Sequence, residues 1–471
     1  MGNIKPGING LTAGRNFNIS ELGLTSEDVT IIKRIDPASS FIPNSDFNSL
    51  TDVKEGEVLI FVSKREGDLP EYFSPPSMKS YPVESFGVRA SNSAILNRNN
   101  LQTAIDKVAL SASKIRELYF SDRYKIASGI IQRDEVSLDG NFQGMKGSKY
   151  AACIQVVDDD DHMIKTCNVN TIRGILFDYP NQNLLSTNPA ADLIHYPATI
   201  GVSESGCTQI TIERCSMVGG SSFIDFPASQ DLQLRTLYGY PLHGALVKLK
   251  LCYDIAYSSV WHVNPGAGLP YRLLSPDGLP HSREVMEYVI ANAGPTYNFE
   301  KIDELTISKI FAFGVKKAVK LLNCYGDIVQ GKFDQVECMA EVTMNEPNSD
   351  YKVMKFMGGS GYNSAGVVAN RNSFILNGTG GELQVDSFAF QLGDNPVLTS
   401  DNNQNANAAF LLNGTGPQKL KLLNCSGRGL DLPGRYTYDV RKLNNQCVVE
   451  ATQSQIGIAT NKYITNPSFI G

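Results

Sequence analysis

The chain has little of several features that mark common protein classes. Only 19% of its 471 residues are charged, tryptophan occurs once, and no apolar run reaches the length of about 18 residues that spans a membrane. The start MGNIKPGING has neither the basic residues nor the apolar run of a secretory signal. The net charge of −6, without clustered lysine and arginine, argues against nucleic acid as a partner. We therefore expect a soluble protein that binds no nucleic acid and does not insert into a membrane.

Cysteine is also used without a motif. Nine cysteines are scattered along the chain, and no two of them form a C-x-x-C pair. The cysteine spacing therefore gives little support for a zinc site or a redox site. Cys215 and Cys425 fall at positions that the repeat described next assigns to the core, where a thiol acts as a small apolar filler. We expect reduced, mostly buried thiols, as in a reducing cytoplasm, with no metal and no cofactor.

What the sequence has instead is an apolar triplet, spaced i, i+2, i+5, that returns at close to one period. Spacings of 22 or 23 residues between neighbouring copies are too long for a helical heptad and suit one coil of a β-solenoid. In a strand, i and i+2 share one face, and a kink before i+5 turns the chain while keeping that residue inward. The copies are Ile210/Ile212/Cys215, Leu232/Leu234/Leu237, Ile255/Tyr257/Val260, Leu305/Ile307/Ile310, Ile328/Gln330/Phe333, Leu383/Val385/Phe388 and Leu420/Leu422/Cys425.

The segments just before the triplets also resemble one another. VKLKLCYDI at 247–255 matches VKLLNCYGDI at 319–328 with one insertion, and FILNGTG at 374–380 matches FLLNGTG at 410–416. Asparagine and glycine accept the left-handed backbone of tight turns, and stacked asparagine side chains can bond one another along the axis. The 41 glycines and 22 prolines agree with many short strands joined by turns. The sequence therefore predicts an all-β chain wound as parallel coils.

Three regions are predicted along the chain. Residues 1–80 lack the coil pattern and contain VTIIKRI, GEVLIFVS and a proline-rich stretch, which indicates a small β-rich head domain and a stiff linker. Residues 81–450 form the solenoid, with an insertion at 261–300, and residues 451–471 close it.

An amphipathic helix is predicted over residues 99–113, at the start of the solenoid. Asn99 or Asn100 would cap it. A helix laid over the open end of a solenoid covers apolar core and unpaired strand edge. The predicted buried face is Leu101, Ile105, Val108, Ala109 and Ala112.

The opening of the solenoid resembles a known family. Four segments carry the resemblance: Ser85-Phe86-Gly87-Val88, the helix Leu101-Gln102-Thr103-Ala104-Ile105, the strand pair from Tyr119 to Ile126, and the closing strand Val136-Ser137-Leu138-Asp139-Gly140. Together they look like the start of pectate-lyase-like right-handed parallel β-helices. The order of head domain, capping helix and β-helix is similar to bacteriophage tailspikes, including those that depolymerise bacterial surface polysaccharide. The chain departs from the family in residues 89–98, which lack the acidic residues often found there.

The resemblance implies a homotrimeric virion protein of a phage tail, made in the host cytoplasm. Its head, residues 1–80, would dock to tail or baseplate proteins, and its β-helix would bind a bacterial surface polysaccharide during host adsorption, with or without depolymerising it. Two alternatives stay open. One is a non-catalytic structural or receptor-binding spike or fibre, and the other is a free polysaccharide lyase or glycoside hydrolase. The resemblance does not locate catalytic residues, because enzymes of this family place them differently from one another.

Outward residues next to the triplets are predicted to form a ladder along the axis. Adjacent rungs would lie about 4.8 Å apart, so that Glu213 and Arg235 could pair. An exposed pair of this kind contributes only about 0.2 to 1 kcal/mol. The ladder would line a sugar chain, or it would be solvated surface or a subunit contact. Its predicted members are Glu213, Arg235, Ser258, Ser308, Gly331 and Asp386.

The insertion at 261–300 is the strongest local candidate for function. If the reaction is β-elimination on a uronate, it needs a base such as histidine or tyrosine and an arginine that neutralises the carboxylate. Aromatic faces stack on sugar rings. The alternative is that residues 281–294 form a surface helix with His281 near its start. The lyase candidates are His262, Tyr271, Arg272, His281 and Arg283, and the substrate-binding candidates are Trp261, Tyr238, Tyr240 and Arg235.

A hydrolase would instead need two carboxylates, about 5 to 5.5 Å apart for retention or 6.5 to 9.5 Å for inversion. The sequence does not choose among its candidates. The run Asp158–Asp161 has the oxygens that Ca²⁺ prefers, but four adjacent acids are more typical of a solvated turn, so no metal is predicted. The hydrolase candidates are Glu213, Asp225, Asp231, Asp303 and Glu304.

Overall fold

The structure is a computed structural model, and nearly all of its regular structure is β-strand. No helix of the described residues is long and apolar enough to span a membrane. The described residues are 29–35, 58–63, 71–73, 80–110, 116–140, 152–255, 258–266, 280–345, 353–363, 372–392, 407–428, 435–439, 447–452, 455–456, 462–463 and 469–470.

The first three strands form a separate antiparallel sheet. Strand β2 pairs with β1 on one side and with β3 on the other. These strands lie within the predicted head, whose boundary at residue 80 stays a prediction. They are β1 (Val29–Ile35), β2 (Val58–Ser63) and β3 (Glu71–Phe73).

The other described strands form a right-handed parallel β-helix, as predicted. Each strand pairs in parallel with the strand at the same place in the next coil. The early strands are β4 (Tyr81–Pro82), β5 (Glu117–Tyr119), β6 (Arg123–Ile126), β7 (Ile130–Ile131), β8 (Ser137–Asp139), β9 (Cys153–Val156), β10 (Ile164–Thr166), β11 (Thr171–Arg173), β12 (Leu176–Asp178) and β13 (Ile200–Val202). The middle strands are β14 (Thr208–Val218), β15 (Ile224–Pro227), β16 (Gln230–Gly239), β17 (Val247–Lys250), β18 (Ser258–Val263), β19 (Tyr297–Glu300), β20 (Leu305–Leu322), β21 (Gly326–Met344) and β22 (Val353–Asn363). The late strands are β23 (Asn372–Gly378), β24 (Glu382–Leu392), β25 (Asn407–Leu412), β26 (Gln418–Leu423), β27 (Ser426–Arg428), β28 (Arg435–Asp439), β29 (Cys447–Thr452), β30 (Gln455–Ile456), β31 (Lys462–Tyr463) and β32 (Phe469–Ile470).

A helix covers the first coil, as predicted, but it begins earlier than the sequence indicated. The helices are α1 (Ala94–Leu110), α2 (Pro189–Asp192) and α3 (Arg283–Asn292). Asn99 and Asn100 lie inside α1, so neither is its cap. The Ser93 hydroxyl accepts a bond from the Leu96 N–H at 3.3 Å instead. Of the predicted face, Leu101, Ile105 and Val108 are buried, Ala109 packs against the core, and Ala112 lies outside the described residues.

Each coil kinks at a left-handed residue directly before the i+5 position. In every triplet copy the residue at this kink has a φ between 50° and 61°. That conformation costs a non-glycine residue about 1 kcal/mol or more. It persists because the strands on both sides keep their apolar side chains in the core. The kink residues are Arg214, Thr236, Val260, Lys309, Gln330, Ser387 and Asn424.

Two of the seven copies have a different register from the one predicted. In the copy at 255–260, Ile255 is buried at the first position. The next inward residues are Ser258, which pairs with Ile307, and Trp261, which pairs with Ile310. One extra residue in this coil therefore shifts its second and third inward positions, and Trp261 enters the core.

The copy at 328–333 is shifted as well. Ile328 pairs with Ile307, so it holds the second inward position, and Gly331 holds the third. The Phe333 ring lies over Gly331, where an added Cβ would be 3.0 Å from it. Glycine at the inward position therefore makes room for a phenylalanine two residues later. The other five copies stack in the predicted register.

The repeated FILNGTG and FLLNGTG segments lie on adjacent coils. Phe374 and Phe410 pair in register, with ring centroids 5.3 Å apart and nearly parallel. The Asn413 amide donates to the Asn377 side-chain oxygen at 3.2 Å. The predicted stacking of asparagine along the axis is therefore confirmed at these two coils.

Eight cysteine side chains lie in the described residues, and all eight are free thiols. Seven are buried, and Cys167 is half-buried. Burial raises the pKa of Cys215 to about 12. Burial also raises the pKa of Cys425, so both thiols stay protonated and act as core fillers, as the sequence predicted for Cys215 and Cys425.

Candidate functional site

Aromatic side chains from three consecutive coils stack on the outside of the solenoid. Tyr238 pairs in register with His262, and His262 pairs with Phe311. Their ring centroids are 4.7 and 4.5 Å apart, with interplanar angles of 22° and 32°. His262 and Phe311 are half-buried, whereas Tyr238 is only 3% exposed. The rings thus form a continuous row parallel to the solenoid axis.

A second outward row begins two residues after Phe311 on β20 and continues on β21 and β22. Phe313, Asp334 and Tyr362 occupy adjacent coils in one register and are half-buried. We call the two rows together the aromatic face, which consists of Tyr238, His262, Phe311, Phe313 and Tyr362.

The described ends of the insertion pack beside this face. His281 is fully buried, and its Nδ1 lies 2.8 Å from the Pro265 carbonyl oxygen. Its ring meets Tyr240 edge-on at 5.2 Å, and the Tyr240 hydroxyl donates to the Gly314 carbonyl at 2.8 Å. Tyr240 is 1% exposed. Both His281 and Tyr240 are therefore packing residues here, which corrects their predicted place in an open site.

The alternative interpretation of residues 281–294 as a helix is confirmed by α3. Ser282 caps it by accepting a bond from the Val285 N–H at 3.1 Å. The Arg283 side chain is 82% exposed and bonds Glu287 at 2.8 Å, one turn along the same helix. Tyr271 and Arg272 lie outside the described residues. Of the lyase candidates, His262 is the one that the described structure places on the aromatic face.

Trp261 lies in the core. It is fully buried, and its indole N–H donates to the Leu234 carbonyl at 2.8 Å. Its ring packs against Tyr297 and Phe299, with centroids 5.6 and 6.1 Å away. This burial removes Trp261 from the predicted sugar-stacking set. It supports the aromatic face from beneath, because it immediately precedes His262.

The predicted outward ladder exists with two changed members. Glu213 and Arg235 occupy adjacent rungs. The Glu213 carboxylate lies 3.4 Å from Arg214, and the Arg235 guanidinium donates to Gln233 at 2.7 Å. Ser258 and Gly331 are inward, and their places on the ladder belong to Ser259 and Val329.

The remaining hydrolase candidates lie on other sides of the solenoid. Asp225 accepts a bond from the Lys248 amine at 2.8 Å. Asp231 and Glu304 are left-handed residues directly before inward triplets. Backbone bonds place Asp254, which the sequence analysis missed, in the same column between them. Asp303, the neighbour of Glu304, is exposed. This acidic column precedes the aromatic face by seven residues at Asp231 and Glu304 and by eight at Asp254, whose coil has the extra residue.

The acidic run at residues 158–161 is held by protein groups. Asp158 accepts the Ser128 N–H at 2.9 Å, and Asp161 pairs with Lys165 at 2.6 Å. Within the described residues no three histidine, cysteine or acidic side chains are arranged to hold a metal ion.

A second histidine cluster escaped the sequence analysis. The rings of His195 and His243 stack at 3.5 Å, and the Ser221 hydroxyl lies 3.0 Å from Nδ1 of His243. Tyr288 of α3 meets His243 edge-on at 5.9 Å. Burial, together with the neighbouring His195, lowers the pKa of His243 to about 4. No local motif marks this pair, because its members are far apart in the chain.

Comparison with known proteins finds solved structures of similar fold but no match in sequence. No protein-family profile matches the chain, and no curated protein matches it. Among solved structures, the chain is similar to the A-module of the mannuronan C-5 epimerase AlgE4 of Azotobacter vinelandii, with 11% identity, a TM-score of 0.39, and coverage of 83% of this chain and 99% of that one. A DFA-IIIase of Arthrobacter chlorophenolicus without its lid matches with 9% identity, a TM-score of 0.46, and coverage of 82% and 100%. The catalytic domain of a GH87 α-1,3-glucanase in complex with nigerose matches with 10% identity, a TM-score of 0.48, and coverage of 95% and 82%.

Proposed function

We propose that the chain binds an extended bacterial surface polysaccharide along its aromatic face, as a phage tailspike does during adsorption. The observation that carries the proposal is the stack of Tyr238, His262 and Phe311 on three consecutive coils. Rows parallel to the axis of a solenoid make long, straight binding surfaces. An extended glycan could follow such a row across several coils.

The geometry assigns different tasks to the three rings. His262 and Phe311 are half-buried and present part of each ring to a ligand, whereas Tyr238, at 3% exposure, supports His262 by stacking on it. Phe311 has a ring partner on one side only, since the next rung is Lys332. The exposed part of its half-buried ring can contact the apolar face of a sugar from outside, beside Lys332.

The test is the Phe311→Ala variant of the full chain. Binding is measured against a panel of bacterial capsular polysaccharides and lipopolysaccharide O-chains. Loss of the stacking face should weaken binding about tenfold, equivalent to about 1.4 kcal/mol. Tyr253→Ala is the matched control, because Tyr253 is 50% exposed and lies outside the aromatic face. Equal binding by wild type and Phe311→Ala, with an unchanged melting temperature, would contradict the proposal.

The tailspike role has its own test. We propose that residues 1–80 attach a homotrimer to the tail or baseplate, so their deletion should abolish attachment to particles and leave glycan binding intact. Attachment that survives the deletion would count against the appendage and favour a free glycan-binding protein.

A second candidate function is cleavage by β-elimination. It is favoured over hydrolysis by one observation, the contact between His262 and the Tyr238 ring on the proposed binding face. The measurement follows polymer length together with the ultraviolet absorbance of unsaturated uronates. Absorbance that His262→Asn abolishes would support elimination. Shortening without absorbance would point to the carboxylates instead.

A further inference from the structure

We infer that the polysaccharide bound at the aromatic face is acidic, and that Lys309 and Lys332 select it by pairing with its anionic groups. This inference rests on the proposed function and adds the class of ligand. It is carried by the position of these two lysines beside the aromatic rows, at registers that offer them no carboxylate on the adjacent coils.

Five lysines elsewhere on the coils contact a carboxylate of a neighbouring coil, whereas others, such as Lys301 and Lys316, contact none among the described residues. Four of these carboxylates lie at the same register as the lysine, one rung away. The pairs are Lys248–Asp225 at 2.8 Å, Lys250–Glu300 at 3.2 Å, Lys355–Asp327 at 3.8 Å and Lys419–Glu382 at 3.6 Å, with Lys317–Glu341 as a diagonal fifth.

The two lysines at the aromatic face have no such partner. Lys332 is exposed and lies between Phe311 and Ser360 on the adjacent rungs. Lys309 is exposed at a left-handed kink, and the kink residues of the adjacent coils are Val260 and Gln330. Among the described residues neither amine contacts a carboxylate. The coils thus leave two positive charges uncompensated beside the aromatic rows.

One acid belongs to the same region. Asp334 lies two residues beyond Lys332 on the same side of β21, between Phe313 and Tyr362. Within the described residues, two amines against one carboxylate leave this region positive, although the chain as a whole carries −6. A locally positive region attracts anionic ligands even on a molecule whose net charge is negative.

Phe311 and Lys332 are close enough to bind the same sugar. Lys332 is the rung directly after Phe311, on the side where the Phe311 ring has no aromatic partner. A sugar held against the exposed part of that ring would place an anionic substituent about one coil spacing, roughly 4.8 Å, from Lys332. Charge-assisted hydrogen bonds to such a group are stronger than neutral ones, and their contribution falls as salt rises.

The test compares Lys309→Gln/Lys332→Gln with wild type. Glutamine suits the kink, because Gln330 already occupies the same conformation on the next coil. Lys301→Gln/Lys316→Gln is the matched control, since Lys301 is an exposed left-handed lysine and Lys316 an exposed strand lysine away from the aromatic face. The probes are alginate, polygalacturonate and hyaluronan as acidic polymers, dextran and pullulan as neutral ones, and the capsular panel before and after reduction of its carboxyl groups.

We expect wild type to prefer acidic polymers and to lose affinity when salt rises or carboxyl groups are reduced. The Lys309/Lys332 variant should bind acidic polymers at least tenfold more weakly, while the control pair should bind them as wild type does. If neutral polymers bind as well as acidic ones, or if the lysine variant is unchanged while Phe311→Ala loses binding, the inference fails and the proposed function stands. If no polymer binds, both fail.

Discussion

The side of the solenoid that carries Asp225, Lys248, Lys250 and Glu300, which we call the charged side, is built on the same stacked strands as the aromatic face. The two differ in the side chains that adjacent coils present. On the charged side, Asp225 and Lys248 occupy adjacent coils at one register, as do Lys250 and Glu300. On the aromatic face, rings stack on rings, and the lysines beside them have no acidic neighbour at their own register. Where a lysine and a carboxylate share a register on adjacent coils, their charges pair within the molecule. The aromatic face presents rings and two amines that contact no carboxylate among the described residues, and we propose that a ligand binds there.

The same core lies beneath both sides, so a charge placed in it should prevent both from folding. Leu234 is fully buried at an inward position, so Leu234→Asp would bury a carboxylate without a partner. That costs several kcal/mol out of a typical total of about 5 to 15. We expect loss of soluble, cooperatively unfolding protein by circular dichroism. Gln233→Asp, one residue earlier and outward, is the control and should fold.

Trp261→Ala should break the support beneath the aromatic face and leave the charged side in place. Removing a buried ring of this size costs about 3 to 5 kcal/mol, and the Leu234 carbonyl also loses a hydrogen bond. The free energy of unfolding, measured in urea, should fall accordingly. For comparison, Tyr253→Ala should change it by less than about 0.5 kcal/mol. A Trp261→Ala protein as stable as wild type would mean that Trp261 is not in the core.

Acid should loosen the packing of the insertion beside the aromatic face. His243 is faced by His195, Ser221 and Tyr288, the last from α3. Its pKa is lowered from 6.5 to about 4 in the folded protein, so the unfolded chain binds the proton more readily. The stability of neutral His243 is therefore complete above about pH 6.5 and is lost as pH falls towards 4, by about 1 to 3 kcal/mol after solvent screening.

The measurement is the melting temperature of wild type and His243→Asn from pH 7 to pH 4.5. Asparagine can keep a bond to Ser221 and does not ionise in this range. The wild-type melting temperature should fall more steeply, and His195→Asn should give an intermediate slope because it removes the neighbouring charge. Identical slopes for wild type and His243→Asn would show that this histidine is not the group responsible.

The smallest effect is expected on the charged side. A double-mutant cycle of Asp225→Asn and Lys248→Gln should give a coupling of about 0.2 to 1 kcal/mol, because both groups are exposed enough to be screened. The coupling should shrink between low and high salt. A coupling above about 2 kcal/mol would mean that this pair is less solvated than the structure indicates.

The sequence predicted the coil more accurately than it predicted the site. Five triplets held their register because each alternates apolar and polar residues in a strand of fixed period. The copies at 255–260 and 328–333 slipped because one has an extra residue and the other replaces an apolar residue by Gly331. The slip at the first of these copies also misplaced Trp261, since a shift of one residue exchanges the inward and outward faces of a strand.

The sequence by itself determined the period, the inward positions of most coils and the kink before each i+5 residue. These depend on contacts between neighbouring residues and on a pattern repeated many times. Only the tertiary structure decided which side chains meet across coils: Tyr238, His262 and Phe311 come from places 24 and 49 residues apart in the chain. That separation includes an insertion whose length the local pattern does not constrain. The aromatic face therefore became visible only when the coils were stacked in register.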